Sequence, residues 1–169
     1  ELKPKVDPLG PENLLIFAAS AVTGTPALGF SRYTVAAKSP LTGGFGEAEA
    51  GGWWGPELKF AGFDAILIKG KADRPVYLWI KDGKAELRDA SHLWGQLAAE
   101  THAMIRTELG DDRIRIALIG PGGEKLVRFA CISNELKHVN GRVGLGAVMG
   151  YKHMKAIADR GEKKMPIIA

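Results

Sequence analysis

The residue types best suited to bind a ligand lie in two glycine-rich stretches. The first runs from Arg32 through the glycines at positions 43, 44, 46, 51 and 52 to a predicted helix at residues 56–61. Glycine lets backbone N–H groups approach an anion closely, and the N-terminus of the following helix adds a favourable dipole. The Arg32 guanidinium can add a two-pronged contact. An anion-binding loop is one interpretation, and tight turns beneath Trp53 and Trp54 are the other.

The second stretch, residues 134–150, places cations among glycines just before another predicted helix. It contains Lys137, His138, Asn140, Gly141, Arg142, Gly144, Gly146 and Gly150. This combination suits a phosphate or a polycyclic ligand that forms hydrogen bonds, and two such loops can clamp one cofactor. The alternative is that Gly144 and Gly146 allow a helix to pack on a sheet, while Arg142 forms a surface ion pair.

Residues for catalysis by the chain itself are scarce. Cys131 follows an apolar run and is predicted to be a buried small hydrophobic residue rather than a reactive thiolate. A single cysteine excludes a disulfide, a paired-cysteine metal motif and an iron–sulfur signature. The four histidines lack metal-ligand spacing, and Glu47, Glu49 and Glu57 form no assignable acid/base pair. We therefore predict no catalytic residue and no metal ligand here.

Charge and hydropathy narrow the class of partner. The formal charge of +4 is spread among alternating cations and carboxylates, so it favours a small anion over a nucleic acid. No apolar run approaches the ~20 residues that cross a bilayer, and the charged, proline-rich start is unlike a signal peptide. We expect neither a membrane nor a nucleic-acid partner, and a cytoplasmic location.

A single α+β domain over residues 1–169 is the predicted architecture. Runs bounded by turn residues predict strands at residues 14–19, 32–37, 65–69, 76–81, 84–89, 113–119 and 127–132. Asp82-Gly83 predicts a hairpin between two of them. Helical periodicity is clearest at residues 95–109, with shorter helices at 56–61 and 144–152. The first strand begins after a short lead-in, which suggests a piece of a longer chain.

Several separate motifs occur in an order that resembles the N-terminal domain of aldehyde ferredoxin oxidoreductases. They are Arg32-Tyr33, Lys38-Ser39-Pro40-Leu41-Thr42-Gly43, Gly51-Gly52, Gly55-Pro56-Glu57-Leu58-Lys59-Phe60-Ala61-Gly62-Phe63-Asp64-Ala65, Arg88-Asp89-Ala90-Ser91-His92-Leu93-Trp94-Gly95, Ile119-Gly120-Pro121 and Gly144-Leu145-Gly146-Ala147-Val148-Met149-Gly150-Tyr151-Lys152. The motifs span nearly the whole chain, so the resemblance is far more specific than one glycine loop. It implies a strand-rich α+β fold with a few short helices packed on mixed or antiparallel sheets.

The resemblance also implies a cofactor, in which the dithiolenes of two pterins hold tungsten or sometimes molybdenum. This domain would be the base on which the cofactor rests, neutralising pterin phosphates while the cofactor carries the redox chemistry. Arg32 and Gly51 would contact one side of the cofactor, and the loop at residues 137–142 would contact it too. The residues assigned to cofactor binding on this basis are Arg32, Glu49, Gly51, Gly52, Lys137, His138, Val139, Gly141, Arg142 and Gly144.

Three positions depart from the family pattern. Glu49 stands where family members often carry Asn, and an ionised carboxylate only accepts hydrogen bonds. Lys137-His138 replaces a His-Arg pair, which keeps a cation but loses the guanidinium fork. Val143 replaces a glycine, so the loop is less permissive at that position. Substrate class or cofactor affinity is expected to differ accordingly.

For the complete protein, the resemblance implies that an aldehyde and water become a carboxylic acid, with two electrons passing through a [4Fe–4S] cluster to ferredoxin. The cluster and the residues near the metal belong to later domains, so this chain alone is expected to be inactive. We expect a homo-oligomer, and self-association of this chain through a face that exposes Trp53 and Trp54. Two alternatives remain. One is a free-standing protein that carries or inserts a pterin or pairs with a separate catalytic subunit, and the other is a degenerate domain that binds nothing.

Overall fold

The computed structural model describes residues 5–163, which form ten strands and four short helices. In chain order these elements are β1 (Leu15–Ala19), β2 (Tyr33–Lys38), β3 (Phe45–Ala50), α1 (Trp54–Phe60), β4 (Ala65–Ile68), β5 (Val76–Lys81), β6 (Lys84–Asp89), α2 (Ala98–Leu109), β7 (Arg115–Leu118), α3 (Pro121–Glu124), β8 (Ile132–Asn134), β9 (His138–Asn140), α4 (Leu145–Tyr151) and β10 (Met154–Arg160). Within this part of the chain, no helix has the length and apolar character needed to cross a membrane.

Two sheets organise the described residues. The first has four antiparallel strands in the order β3-β2-β1-β4. The second has six strands in the order β6-β5-β10-β7-β8-β9. It is a mixed sheet, because β10 is parallel to β5 and antiparallel to β7. The predicted α+β class, with short helices on mixed and antiparallel sheets, is therefore confirmed.

The larger hydrophobic cluster lies between the two sheets, where α1 and α4 each contact strands of both. Strand β2 alternates buried and half-buried residues, so one face carries Tyr33 and Val35 into this cluster. Trp54 is completely buried, and its ring lies 4.5 Å from that of Tyr33, centroid to centroid. Its indole Nε1 donates to the carbonyl of Ile157 on β10 at 3.2 Å. The α1 helix thus joins the two sheets.

A second cluster fills the other face of the six-stranded sheet beneath α2. Helix α2 begins where Glu100 reaches back to accept the backbone N–H of Leu97 at 3.0 Å. It ends at Gly110, whose φ of +70° suits the left-handed residue that commonly closes a helix. Ile105 of α2 and Tyr77 of β5 are both buried in this cluster, so β10 has apolar packing on each face.

The sequence prediction was correct for several elements and wrong for others. The strands at residues 14–19, 32–37, 65–69, 76–81 and 84–89 are confirmed to within one residue at each end, as is the hairpin turn at Asp82-Gly83. The strand predicted at 127–132 is wrong, because residues 125–131 form turns and β8 begins only at Ile132. The prediction missed β3, β9, α3 and β10.

Two predictions about burial are also corrected. Cys131 is exposed, because the turn that precedes β8 lies on the surface rather than within a strand. Trp54 is completely buried, so only Trp53, with 59% of its surface accessible, belongs to an exposed face. The two tryptophans diverge because α1 begins at Trp54 and directs that side chain between the sheets.

Candidate anion-binding groove

The two glycine-rich stretches meet along one groove on the protein surface. Its larger cavity, of about 500 Å³, is lined by Gly29, Ser31, Arg32, Glu49, Ala50, Gly51, Gly52, Lys137, His138 and Val139. An adjoining cavity of about 450 Å³ is lined by Ala48, Glu49, Val139, Gly141 and Arg142. The two cavities are neighbours, because Glu49 and Val139 line both. Nine of the ten residues assigned from the sequence therefore line a single site.

Gly144 is the one assigned residue that does not line the groove. It is buried at the start of α4 with a φ of +75°. A Cβ at this position would lie 1.9 Å from the carbonyl oxygen of Arg128. Gly146, two residues further on, would similarly place a Cβ 2.4 Å from the carbonyl oxygen of Cys131. For these two glycines, the packing interpretation is the one that the structure supports.

A buried hydrogen-bond network holds the two stretches together. The Tyr33 hydroxyl donates to Asn140 Oδ1 at 2.8 Å and accepts from Asn134 Nδ2 at 2.9 Å. Asn140 Nδ2 donates to the Ala48 carbonyl at 2.8 Å, and Asn134 Nδ2 lies 3.2 Å from the Gly51 carbonyl. Burial raises the pKa of Tyr33 far above its ordinary value, so the hydroxyl remains a neutral donor. The network fixes the β8–β9 turn against β3, which is the edge strand of the other sheet.

Glu135 anchors the tip of the β8–β9 turn and was missed in the sequence analysis. Its Oε2 accepts the backbone N–H of Trp53 at 3.1 Å, and its Oε1 lies 3.2 Å from Arg115 Nη1. Glu135 and Leu136 have φ values of +52° and +59°, a left-handed conformation that costs free energy in residues other than glycine. The anchor holds this strained turn directly over Gly52.

Gly52 forms the part of the floor where the two stretches come closest. Its φ is +91°, and a Cβ would lie 2.7 Å from Asn134 Oδ1, Glu135 Oε2 and His138 Cδ2. Only glycine fits here. The tight-turn interpretation and the ligand interpretation therefore both apply to this stretch, since the turn is what brings Lys137 and His138 beside the groove.

The loop at residues 141–144 is held by the other end of the β2–β3 hairpin. The buried Ser39 hydroxyl donates to the Val143 carbonyl at 2.8 Å and accepts the backbone N–H groups of Leu41 and Thr42. Val143 has a φ of +57°, which is unusual for a β-branched residue. Gly46 makes room for its side chain, because a Cβ there would lie 2.7 Å from Val143 Cγ2. The substitution expected to stiffen this loop is thus accommodated at the cost of backbone strain.

Positive charge predominates in the lining. Arg32, Lys137 and Arg142 are exposed cations and His138 is a fourth basic group, whereas Glu49 is the one carboxylate among the residues that line the two cavities. Arg32 Nη1 lies 3.6 Å from Glu49 Oε2, and both side chains are more than half exposed. Such a pair contributes little stability, so an anion with more than one negative oxygen can displace it. The groove is therefore suited to a multiply charged anion such as a phosphate ester.

A buried carboxyl group lies behind the floor of the groove. Asp159 on β10 has no exposed surface, and neither of its oxygens has a hydrogen-bond partner within residues 5–163. Loss of water contact, and then the charges of Glu57 and Glu135, raise its pKa well above the ordinary value, with Arg115 opposing them. Asp159 did not stand out in the sequence, because only its position in the sheet buries it.

Metal binding by side chains alone is not favoured in this groove. No three His, Cys, Asp or Glu side chains within residues 5–163 are arranged to hold a metal ion. The lining instead offers cations and the backbone of four glycines, which are groups that bind the anionic part of a ligand.

Comparison with known proteins matches the whole described fold. A family model for the aldehyde ferredoxin oxidoreductase N-terminal domain matches residues 1–161. The tungsten-containing aldehyde ferredoxin oxidoreductases of Pyrococcus furiosus and Thermococcus kodakarensis are 56% and 53% identical to the chain, each over 99% of it. The chain spans 28% of the length of these relatives.

A solved structure also matches closely. The active-site complex of a benzoyl coenzyme A reductase, determined with 1,5-dienoyl-CoA, superposes on the chain with a TM-score of 0.93. The two sequences are 47% identical, and the match covers 96% of this chain and 25% of that chain.

Proposed function

The chain belongs to the aldehyde ferredoxin oxidoreductase family, and from that membership we propose that it binds the pterin part of a tungsten or molybdenum cofactor. The observation that carries this proposal is the convergence of nine assigned residues on one cationic groove. Neither glycine stretch alone separates ligand binding from turn formation. Their meeting, with basic side chains on both sides, favours ligand binding.

The residues present fit the anionic part of such a cofactor. Arg32, Lys137 and Arg142 would neutralise its phosphates, and the backbone at Gly51 and Gly141 would lie close to it because no side chain intervenes. The bound cofactor would supply the metal and the two-electron redox chemistry. The role of this chain would be to bind the cofactor, to neutralise its negative charge and to orient it.

Glu49 adjusts the affinity of this site. In the structure its carboxylate lies beside Arg32, so a bound phosphate would compete with it for the guanidinium. The departure from the family's Asn therefore lowers the net positive charge of the groove without removing the fork of Arg32. We expect a weaker phosphate contact on this side than Asn would permit.

For the whole protein we propose oxidation of an aldehyde and water to a carboxylic acid, with two electrons transferred to ferredoxin. The [4Fe–4S] cluster would be held by residues outside this chain, and the chain alone would be inactive because it offers no assignable acid/base pair. The names of the tungsten-containing relatives support the tungsten and ferredoxin parts of this proposal. A homo-oligomeric enzyme in the cytoplasm belongs to the same proposal.

A second candidate is the active-site subunit of an enzyme that acts on coenzyme A thioesters. The 47% identity to the benzoyl coenzyme A reductase complex favours it, because that match covers 96% of this chain. The higher identity to the aldehyde enzymes places it second. Assays of the full-length protein with an aldehyde and with an aromatic acyl-CoA would distinguish the two candidates.

The cofactor role is tested in the full-length protein purified from its native host. Tungsten, molybdenum and released pterin are measured per polypeptide by mass spectrometry in the wild type and in Arg32→Ala and Arg142→Ala. We expect about tenfold weaker retention of both metal and pterin in each variant, because a hydrogen bond to a charged group contributes about 1.5–3 kcal/mol. Arg74→Ala, which removes an exposed arginine paired with Asp89 away from the groove, is the matched control.

Unchanged pterin content in both groove variants would reject the proposed role. The intact mass of the native polypeptide, determined on the same sample, addresses the free-standing carrier. A metal-free native chain no longer than this one, which still binds a pterin, would favour the carrier over the enzyme.

A further inference from the structure

A fully buried carboxyl group and a partly buried arginine lie behind the groove floor, on the six-stranded sheet. Asp159 of β10 and Arg115 of β7 are directly opposite each other in the antiparallel pair. Their side chains share the face of Ile157 and Ala117, because alternate residues of a strand point to the same side. The Cβ atoms of opposite residues in such a pair are about 5 Å apart, so the two side chains are immediate neighbours.

The hydrogen-bonding capacity of this group is only partly used. Arg115 Nη1 lies 3.2 Å from Glu135 Oε1, which is an ion-pair contact without hydrogen-bond geometry. Arg115 Nε is buried without a hydrogen-bond partner among the described residues. Both oxygens of the fully buried Asp159 also lack one. Arg115 therefore has two carboxyl groups beside it and pairs with one.

We propose that a proton on Asp159 keeps Arg115 paired with Glu135, which makes Asp159 a positioning residue for the groove. If Asp159 ionised, it would be a buried charge facing Glu57 of α1 and Glu135. Arg115 is the cation that faces it and has an unused N–H group, so Arg115 would turn toward it. A neutral Asp159 does not attract the Arg115 guanidinium in this way.

The other groups around Asp159 do not change which carboxyl group pairs with Arg115. From β2, the Tyr33 hydroxyl faces it but is held by two asparagine side chains and stays protonated. Arg160, next in the chain, is paired with Glu57 at 2.8 Å and with Asp111 at 3.2 Å. Arg115 is thus the member of the group whose partner depends on the Asp159 proton.

The effect reaches the groove through Glu135. The carboxylate that pairs with Arg115 also accepts the Trp53 N–H and holds the strained turn over Gly52. When Arg115 leaves, Glu135 is a partly buried carboxylate without its counter-ion, and its contact with Trp53 weakens. The turn that carries Lys137 and His138 is then released from the floor.

This inference names what holds the groove of the proposed function in shape, and it rests on that function only for the identity of the ligand. Its test needs no ligand. A chain that binds no pterin can still show the proton-dependent turn, and a cofactor-binding enzyme can lack it, so the two failures are distinguishable.

The experiment follows two signals of the chain over the same titration, from neutral pH upward, because a carboxyl group with a raised pKa ionises as the pH rises. One is the infrared carbonyl stretch of a protonated carboxylic acid, assigned by its loss in Asp159→Asn. The other is the hydrogen-exchange protection factor of the Trp53 amide, which is corrected for the intrinsic effect of pH. We expect protection to fall about tenfold where the band disappears, and to persist if the band persists, because a lost charged hydrogen bond has that effect.

Asp159→Asn, which cannot ionise, should keep Trp53 protected at every pH, and Asp159→Val replaces it if the amide variant does not fold. Asp73→Asn removes an exposed carboxylate elsewhere and should retain the wild-type pH dependence. A wild-type chain without the band at neutral pH would overturn the proposal. So would a band that disappears while protection stays constant, or an equal fall in protection in Asp159→Asn.

Discussion

At the residue scale, Gly52 combines a left-handed backbone with close contacts from the β8–β9 turn. Gly52→Ala places a Cβ against Asn134, Glu135 and His138 in addition to straining φ, so we expect the free energy of unfolding to fall by about 2–4 kcal/mol. Urea denaturation measures this. Gly43→Ala is the matched control, because Gly43 also has a positive φ but has open space around it, and it should cost only about 1 kcal/mol.

An equal loss in the two glycine variants would mean that the turn moves away without cost. The groove would then be more adaptable than its contacts indicate. A larger loss in Gly52→Ala alone would confirm that the floor and the turn form one packed unit.

Tyr33 is the residue whose hydroxyl joins both asparagines beneath the groove. Tyr33→Phe keeps the ring packed on Trp54 but leaves two buried amide groups short of a partner, so we expect a loss of about 1–3 kcal/mol of stability. Thermal and urea unfolding measure the change. Tyr151→Phe, on a half-buried tyrosine whose ring contacts Lys71, should change stability by less than about 0.5 kcal/mol. Similar losses in both variants would argue against the network.

At the element scale, the end of β10 is tied to α1 and to the segment after α2 by a set of ion pairs. Arg160 pairs with Glu57 and Asp111, and Asp111 also accepts from the side chain and backbone of Arg113. These hydrogen bonds, first those from Arg113 and then that from Arg160, lower the pKa of Asp111. As the pH falls, the Asp111 carboxylate is therefore protonated in the unfolded chain before it is protonated in the folded chain. Its contribution to the free energy of unfolding is present above about pH 4 and is lost as the pH falls further.

Asp111→Asn should accordingly flatten the acid side of the stability profile. We expect the free energy of unfolding to fall less steeply with decreasing pH than in the wild type, as measured by urea titrations at a series of pH values. Asp112→Asn changes the neighbouring exposed carboxylate and should leave the slope near that of the wild type. If the free energy of unfolding falls equally steeply with decreasing pH in all three proteins, Asp111 does not contribute to the profile.

The missed strands show which structural information the sequence lacked. β3 reads as a glycine-rich loop because its buried positions, Gly46, Ala48 and Ala50, are small and alternate with Phe45 and two glutamates. β10 contains Lys155, Asp159 and Arg160, which argue against a buried strand until their distant partners are known. Lys155 pairs with Glu124 and donates to the Gln96 carbonyl at 3.0 Å. Partners so remote in sequence cannot be identified from local pattern.

The residues that line the groove were easier to identify in the sequence than the elements that support them. The glycines and cations were recognisable because cations set among clustered glycines suit an anionic ligand. Glu135 and Asp159 could not be recognised in this way. A carboxylate in a turn, or next to an arginine in the sequence, is usually exposed to solvent. The buried position of Gly144 away from the groove was not predicted either, since a packing glycine and a ligand-binding glycine look identical in the sequence.

At the scale of the whole molecule, apolar side chains collect near the groove. Five exposed apolar residues line the groove or are next in sequence to a residue that lines it: Leu28, Phe30, Trp53, Leu136 and Val139. We expect the chain to self-associate through this face, as sedimentation at increasing concentration would show. Leu28→Ser with Trp53→Ser should weaken the association by about tenfold, from the apolar area removed. Phe129→Ser, on a side chain that is 72% exposed but does not line the groove, is the control.

A stronger effect of Phe129→Ser than of the double variant would place the contact elsewhere. A chain that stays monomeric at high concentration would contradict the expectation altogether.

The position of β10 in the chain sets the order in which the protein can be completed during synthesis. This strand is the centre of the six-stranded sheet, yet it is the final strand of the described chain, after β5 by more than 70 residues. Until Arg160 leaves the ribosome, the β5–β6 hairpin and the β7–β8–β9 group remain separate nascent units, each with an unpaired edge. Since domains fold as units during translation, the groove would take its final shape in one late step. Any delay in that step would leave the two edges open to pairing with other nascent chains.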